Sequence, residues 1–351
     1  MTDIAASPLL DLPGAVANEG GRVAWHYGGP LTEQRAAAER GAVFDRSDRE
    51  VIAVTGAARL EWLHSLSTQH LTSLRPNEGT ETLFLSPTGR VEHHANVFDD
   101  GETVWLDTEP GDGEGLLKFL ELMKFRTEVD IRDASGAWAL FTYTAAESEG
   151  DGPVKQPVPM AKFAAKDLQA VPTAVYPGKA VGGGGWVRRT DTLTTGTFDR
   201  LVRRDEIAAI REEDPDAAVA GSWAFDALRV AAAWPRFGVD TDERTVPHEV
   251  PYWLTAAIHL DKGCYRGQET VAKVHHLGQP PRRLVRLHLD GTDEHPPATG
   301  TPVTSDGKEV GFIGTAAQHF EEGQIALAML RRNVAAEADA RLIVGDQAAH
   351  Q

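Results

Sequence analysis

Apolar residues alternate with polar ones in VIAVTG, which begins at residue 51, and then gather at a spacing of three to four in AARLEWLHSL, where Leu60, Trp62 and Leu63 cluster. The change of period predicts a strand followed by a helix. The run TETLFLSPTGRVEHHANVFDDGETVWLDT reads as three strands, because SPTG and DDGE carry Pro or Gly where a turn requires it. A helix over GEGLLKFLELMKF follows. Strands mixed with helices, without regular crossovers, predict α+β architecture.

Periodicity vanishes over residues 144–159, TAAESEGDGPVKQPVP, which read as an exposed linker or insertion between two halves. VGGGGW at 181–186 lacks the Lys-Ser/Thr of a phosphate loop and the spaced glycines of a dinucleotide fold, and reads as a flexible loop. AAVAGSWAFDALRVAAAW predicts one amphipathic helix with Val219, Trp223, Ala227 and Val230 on a face, ended by Pro235. The following stretch, PRFGVDTDERTVPHEVPYW, is too rich in Pro and charge for regular structure. HLGQPPRR at 276–283 marks a second boundary, beyond which short alternating runs, one of them a hairpin closed by SDGKE, predict a small antiparallel barrel or sandwich. The expected division is a tail over 1–21, α+β subdomains over 22–145 and 146–280, and a β-barrel over 281–351.

Composition narrows the possibilities. A chain of 351 residues, 41% hydrophobic and 25% charged, can build more than one packed unit. One cysteine excludes an intrachain disulfide and favours a cytoplasmic setting. The start, MTDIAASPLLDLPG, lacks a signal peptide's basic region, and no segment is apolar enough to span a bilayer. A net charge of −17 disfavours nucleic acid as a partner. His93–His94 and His275–His276 are adjacent pairs whose side chains diverge, so no metal site is expected.

The candidate chemistry lies in KGCYRGQE, residues 262–269. Gly267 is expected to precede a helix start, where unpaired N–H groups favour anions and suit Glu269, itself i,i+4 from Lys273. A thiol just before such a terminus, two residues from Lys262, is a candidate nucleophile or redox group; simple packing is the alternative.

These eight residues match every fixed position of the K-G-C-Y-x-G-Q-E signature and resemble the YgfZ-type folate-binding proteins, relatives of the glycine-cleavage aminomethyltransferase. GAVFDRSDREVIAVTGAARLEWLHSL, ALRVAAAWPRFGVD and GKEVGFIGTAA are similar to other segments of that superfamily, in order. The resemblance implies two α+β subdomains around a central channel plus a C-terminal antiparallel barrel. It implies tetrahydrofolate as cofactor, iron–sulfur client enzymes as partners and a role in assembling or repairing their clusters, with the chain acting as a monomer. Within it Cys264 would supply thiol chemistry, Lys262 and Arg229 would attract the glutamyl tail, and Gly263 and Gly267 would permit a tight turn. Tyr265 would form a wall, Gln268 would fix orientation, and Glu269 and Trp234 complete the expected cofactor site. Two departures stand out. His93 occupies the place of an aspartate beside the folate's reactive nitrogen, with Glu92 next to it on the opposite strand face, and Ala231 replaces a folate-contacting glutamate. Both lean away from the alternative activity, a folate-dependent aminomethyl transfer or demethylation, in which His93 would serve as a substitute base.

Overall fold

The computed structural model of the chain describes residues 4–145, 174–190, 192–193, 196–213, 217–277, 279–291, 295–334 and 341–351. Apart from Thr144 and Ala145, which end a strand, the linker expected at 144–159 lies outside them.

A short ribbon of β1 (Val16–Ala17) and β2 (Ala24–His26) leads into α1 (Pro30–Glu39), β3 (Gly41–Arg46), β4 (Glu50–Thr55) and α2 (Arg59–Leu66). The expected three strands are β5 (Glu78–Leu85), β6 (Val91–Asp99) and β7 (Thr103–Thr108), followed by α3 (Gly113–Lys124), β8 (Asp130–Asp133) and β9 (Trp138–Ala145). Next come β10 (Tyr176–Ala180), β11 (Trp186–Arg189), β12 (Phe198–Arg203), α4 (Ile210–Glu213), β13 (Ala218–Ala220), α5 (Ser222–Ala231), α6 (Pro251–Ala256) and α7 (Gln268–Leu277). The last part is all strand: β14 (Arg282–Leu289), β15 (Pro302–Ser305), β16 (Lys308–His319), β17 (Gly323–Arg331), β18 (Leu342–Val344) and β19 (Gln347–His350).

Strands β3 to β13 form one long sheet in the order β13-β3-β9-β12-β11-β10-β5-β6-β7-β4-β8, and β14 to β19 close into a barrel. Within the sheet only β13 and β3 run parallel. Strand β10 joins the two halves by pairing its first two residues with β5 and its last three with β11. Because β3 and β9 pair with strands from the later part of the chain, the division expected near residue 145 does not coincide with a division of the sheet.

Helices α2 and α3 cover one face of β4–β7 through Leu63, Leu116, Leu120, Phe84 and Val97. The opposite face meets α6, α7 and the barrel through Leu83, Val91, Trp253, Val271, Leu284 and Met329, so one apolar core joins body to barrel. In the SDGKE hairpin Ser305 pairs with Lys308, and Asp306 and Gly307 both have positive φ, as the tight two-residue turn demands.

Two expectations need correction. The helix read across AAVAGSWAFDALRV breaks at Gly221, so Val219 belongs to β13 and only Ser222–Ala231 is helical. The cause is a close approach: a Cβ on Gly221 would lie 2.2 Å from the carbonyl oxygen of Trp25. The apolar buried residues are then Ala224, Phe225, Leu228 and the expected Ala227 and Val230, while Trp223 stacks outside on Trp25 at 4.6 Å. In the stretch judged too charged for structure, Pro247–Glu249 forms a turn of 3-10 helix and Pro251 opens α6.

Charged side chains also hold the fold together from inside. Asp199 accepts from Arg188 at 2.8 Å, Arg188 reaches Asp107 at 2.6 Å, and Asp107 pairs with Arg49 at 2.9 Å. Arg49 and Arg46 both meet Glu109, which binds Arg236 at 2.7 Å. Arg236 lies 3.6 Å from Asp226, which pairs with Arg229 at 2.6 Å, and Arg229 ends the series on Asp240 at 2.8 Å and on the hydroxyl of Thr315 in β16. Five arginines thus face five carboxylates, and the ladder runs from β12 through β7 and α5 into the barrel. Removing one charge from such a buried series strands its partners, so Asp107→Asn should destabilise the protein by about 3 kcal/mol in urea unfolding.

Candidate functional site

The lip that carries the cysteine is pinned on both sides. Upstream, the Lys262 side chain is 5% exposed, and its ammonium donates to the backbone carbonyls of His64, Ser67 at 2.5 Å and Gln69 at 3.2 Å. The His64 and Ser67 carbonyls lie at the C-terminal end of α2, the negative end of its dipole, that of Gln69 lies just beyond it, and burial lowers the lysine pKa to about 8. Lys262 was expected to attract a ligand's carboxylates; with its donors on three carbonyls it is an anchor instead.

Downstream, Gly267 has φ +81°, and a Cβ there would lie 2.6 Å from the Ser86 carbonyl oxygen and 3.0 Å from the Cα of Gly89. Gly89, at φ +78°, is equally confined by Thr270 at 2.5 Å. The SPTG turn and the start of α7 therefore touch backbone to backbone, which only glycines allow. Gly263 differs: it has no positive φ, and nothing lies within 4 Å of a Cβ built on it.

Between the two anchors Cys264 is exposed. Tyr265 packs half-buried against the core shared with the barrel, where burial raises its pKa to about 12, and its ring lies 5.0 Å from the Lys262 ammonium. Gln268 turns back to accept from the Tyr265 N–H at 3.4 Å, so it braces the lip. Glu269 is exposed in the first turn of α7, and the expected pair with Lys273 is not made. Arg266 reaches Glu92 at 3.0 Å and covers the Phe119 ring at 5.5 Å.

That last contact corrects the reading of Glu92. Pairing passes from Phe84↔His93 to Leu85↔Val91, leaving Glu92 as the extra residue of a bulge. The bulge frees its carboxylate to meet Arg266, which shares the Phe119 ring with His93. His93 itself is held by Asp112, Nδ1 to Oδ1 at 2.5 Å, just before α3, and Gly115 makes room for its ring. Its Nδ1 is engaged by Asp112, and among the described residues no hydrogen bond or ion pair joins it to Cys264, so its expected role as a base has no geometric support. His94, on the other face, meets the fully buried Glu81 at 2.9 Å, and Glu81 also accepts from the Tyr176 and Tyr252 hydroxyls. Among the described residues, no group of three or more His, Cys, Asp or Glu side chains is arranged to hold a metal ion. No described helix is long and apolar enough to cross a membrane.

Arg229 and Trp234, expected at the same site as the motif, lie elsewhere. Arg229 is completely buried and spent on Asp226, Asp240, Thr315 and the Trp234 carbonyl, which makes it a clamp between α5 and the barrel. Trp234 packs edge-on against Phe225. Phe225 and Asp226 in turn line a cavity of about 650 Å³, with Trp25, Arg46, Asp48, Glu109 and Arg236 among its other walls. None of residues 262–269 borders this cavity. The thiol lip and the charged cavity are therefore separate, and neither Arg229 nor Trp234 lines the cavity. Sequence reading missed the cavity walls, although DRSDRE, a dense charge run between two apolar strands, was a visible sign of buried polarity.

Comparison with known proteins bears on both. Residues 282–350 match the CAF17 C-terminal β-barrel domain. The glycine cleavage system aminomethyltransferase T of Bartonella henselae superposes with a TM-score of 0.78 at 17% identity, covering 98% of this chain and 95% of that one. The chain has the aminomethyltransferase fold. Among curated relatives, the aminomethyltransferase of Geobacillus kaustophilus is 28% identical over 320 residues, 87% of this chain and 83% of that protein. A putative chloroplastic transferase of Arabidopsis thaliana is 26% identical over 77% of this chain, which spans 60% of its length. An iron-sulfur cluster assembly factor IBA57 homologue, mitochondrial, of Neosartorya fischeri is 26% identical over 69% of this chain and 56% of its own length. The aminomethyltransferase-fold body and the CAF17-type barrel thus meet at the core that backs the thiol lip.

Two measurements check this geometry. Gly267→Ala should cost about 2 kcal/mol in urea unfolding, because a side chain would be forced into a left-handed conformation against the Ser86 carbonyl, whereas Gly263→Ala should be nearly neutral. The second concerns His64 and His248, whose pKa values burial lowers to about 4. The unfolded chain binds their protons more readily, so their stabilising contribution is complete above pH 6.5 and is lost as pH falls toward 4. Unfolding midpoints should decline over that window, and His248→Gln should flatten the decline.

Proposed function

We propose that this protein supports iron–sulfur cluster assembly in client enzymes, with Cys264 as the thiol that meets the cluster. The observation that carries the reading is an exposed cysteine on a lip fixed by Lys262 on one side and by the Gly89–Gly267 contact on the other. Similarity to the IBA57 homologue and to the CAF17 barrel supports the same direction. A thiol binds iron as thiolate, so ligation releases one proton, and a fixed lip spares the entropy of ordering the ligand. The cluster is cargo. It leaves when a client's thiolate replaces that of Cys264.

Tetrahydrofolate is the cofactor that the resemblance implies, and the cavity fits it better than the lip does. Its volume of about 650 Å³ suits a ligand of that size, and Trp25 and Arg22 are among its walls. Bound there, a reduced folate would supply a one-carbon acceptor.

Cells lacking the protein should lose activity of cluster-containing enzymes, and native protein should restore it where Cys264→Ala does not. Since Cys264 is exposed, this variant should keep its stability within about 0.5 kcal/mol, which separates lost thiol chemistry from unfolding. Normal enzyme activities after deletion would remove the assembly role. Calorimetric titration with 5-formyltetrahydrofolate should give one saturable site per chain, and its absence would remove the folate part alone.

A further inference from the structure

Three histidines line the seam where the thiol lip meets the end of α2. His64 lies in the last turn of α2, His70 just before the 3-10 turn Leu71–Ser73, and His259 on the segment that leads from α6 to the motif. Their rings are in contact, His64 to His70 at 4.7 Å between centroids and His70 to His259 at 5.1 Å. On each ring Nδ1 is buried and has no hydrogen-bond partner. His64 faces Lys262 and the other two rings, and none of these is an anion. His259 faces His70, Lys262 and Asp261. Asp261 is exposed and belongs to the lip segment, so it moves with that segment and does not tie it to α2. Across the seam the segment is held by polar contacts to backbone carbonyls: the Lys262 ammonium on those of His64, Ser67 and Gln69, and the His259 N–H on that of Thr68 at 3.0 Å.

We propose that this histidine trio is a pH-sensitive latch, in which protonation of the rings drives residues 259–266 off the end of α2 while the rest of the fold stays closed. The inference goes beyond the assembly reading and holds whatever Cys264 meets. Each proton taken up places a positive charge beside an ammonium and beside two further rings, and an imidazolium recovers water only when the seam opens. The downstream anchor, Gly267 against Gly89, contains no titratable group, so the lip lifts from its Lys262 end. The direction follows from His64, whose pKa burial and the neighbouring Lys262 hold at about 4 in the closed seam, against about 6.5 in water. The open lip binds the proton more readily, so closure is complete above pH 6.5 and is lost as pH falls toward 4.

Hydrogen–deuterium exchange of the whole chain tests this, with labelling times matched for the intrinsic pH dependence of amide exchange. Between about pH 7.5 and about pH 5, peptides covering 259–266 should lose protection by about tenfold or more, while those covering β6 and β7 keep theirs. His64→Gln removes a ring but keeps the backbone carbonyl that Lys262 uses, and should abolish most of this loss. Should that variant unfold, His259→Gln takes its place: a smaller loss than in native protein supports the latch, and the full loss counts against it. Equal protection of the native lip at both pH values, the full loss in folded His64→Gln, or a matching loss in β6 and β7 overturns the proposal.

Discussion

The balance of five arginines against five carboxylates, all buried except the partly exposed Arg236 and Asp226, is the constraint on which the architecture depends. Each ion alone would cost several kcal/mol to take out of water, so none is tolerable unless its neighbours are in place. The series passes through a sheet strand, a turn, a helix and a barrel strand, and so these parts become mutually conditional. Apolar contact also joins body to barrel, but it is less exacting about direction. Arg229, with hydrogen bonds to Asp226, Asp240 and Thr315, fixes how α5 meets the barrel in a way that Leu284 and Met329 alone would not.

The same ladder forms part of the cavity wall, since Arg46, Glu109, Asp226 and Arg236 belong to both. The thiol lip is held by different means, a lysine on helix-end carbonyls and two glycines in contact, and shares no wall residue with the cavity. One fold thus supports two surfaces with separate supports, and substitutions can impair one without the other.

Local pattern was enough to read β4 to β7, most strands of the barrel, the α2 and α3 helices, the hairpin at 305–308 and the start of α7 after Gly267, because each depends on neighbours in sequence. The short β19 that helps close the barrel, QAAH, has too little pattern to be seen. Gly221 looked like a tolerated glycine within a helix; only the Trp25 carbonyl, brought up by a remote ribbon, makes it a break. The motif was recognisable in full, yet the role of Lys262 was not, because its Ser67 acceptor lies 195 residues away. Arg229 and His93 were misjudged for a related reason: a charged or titratable residue near a motif suggests a ligand, and whether the protein itself has claimed it is decided by elements far along the chain.

Lys262 also makes the lip a timekeeper. Its amine is lowered in pKa and so is intrinsically more ready to react than an ordinary lysine, but it is sealed beneath the turn it anchors. An acylating reagent can reach it only during moments when the lip lifts from α2. The rate at which this single side chain is modified, set against that of surface lysines, is thus a clock for how often the cysteine-bearing segment comes loose.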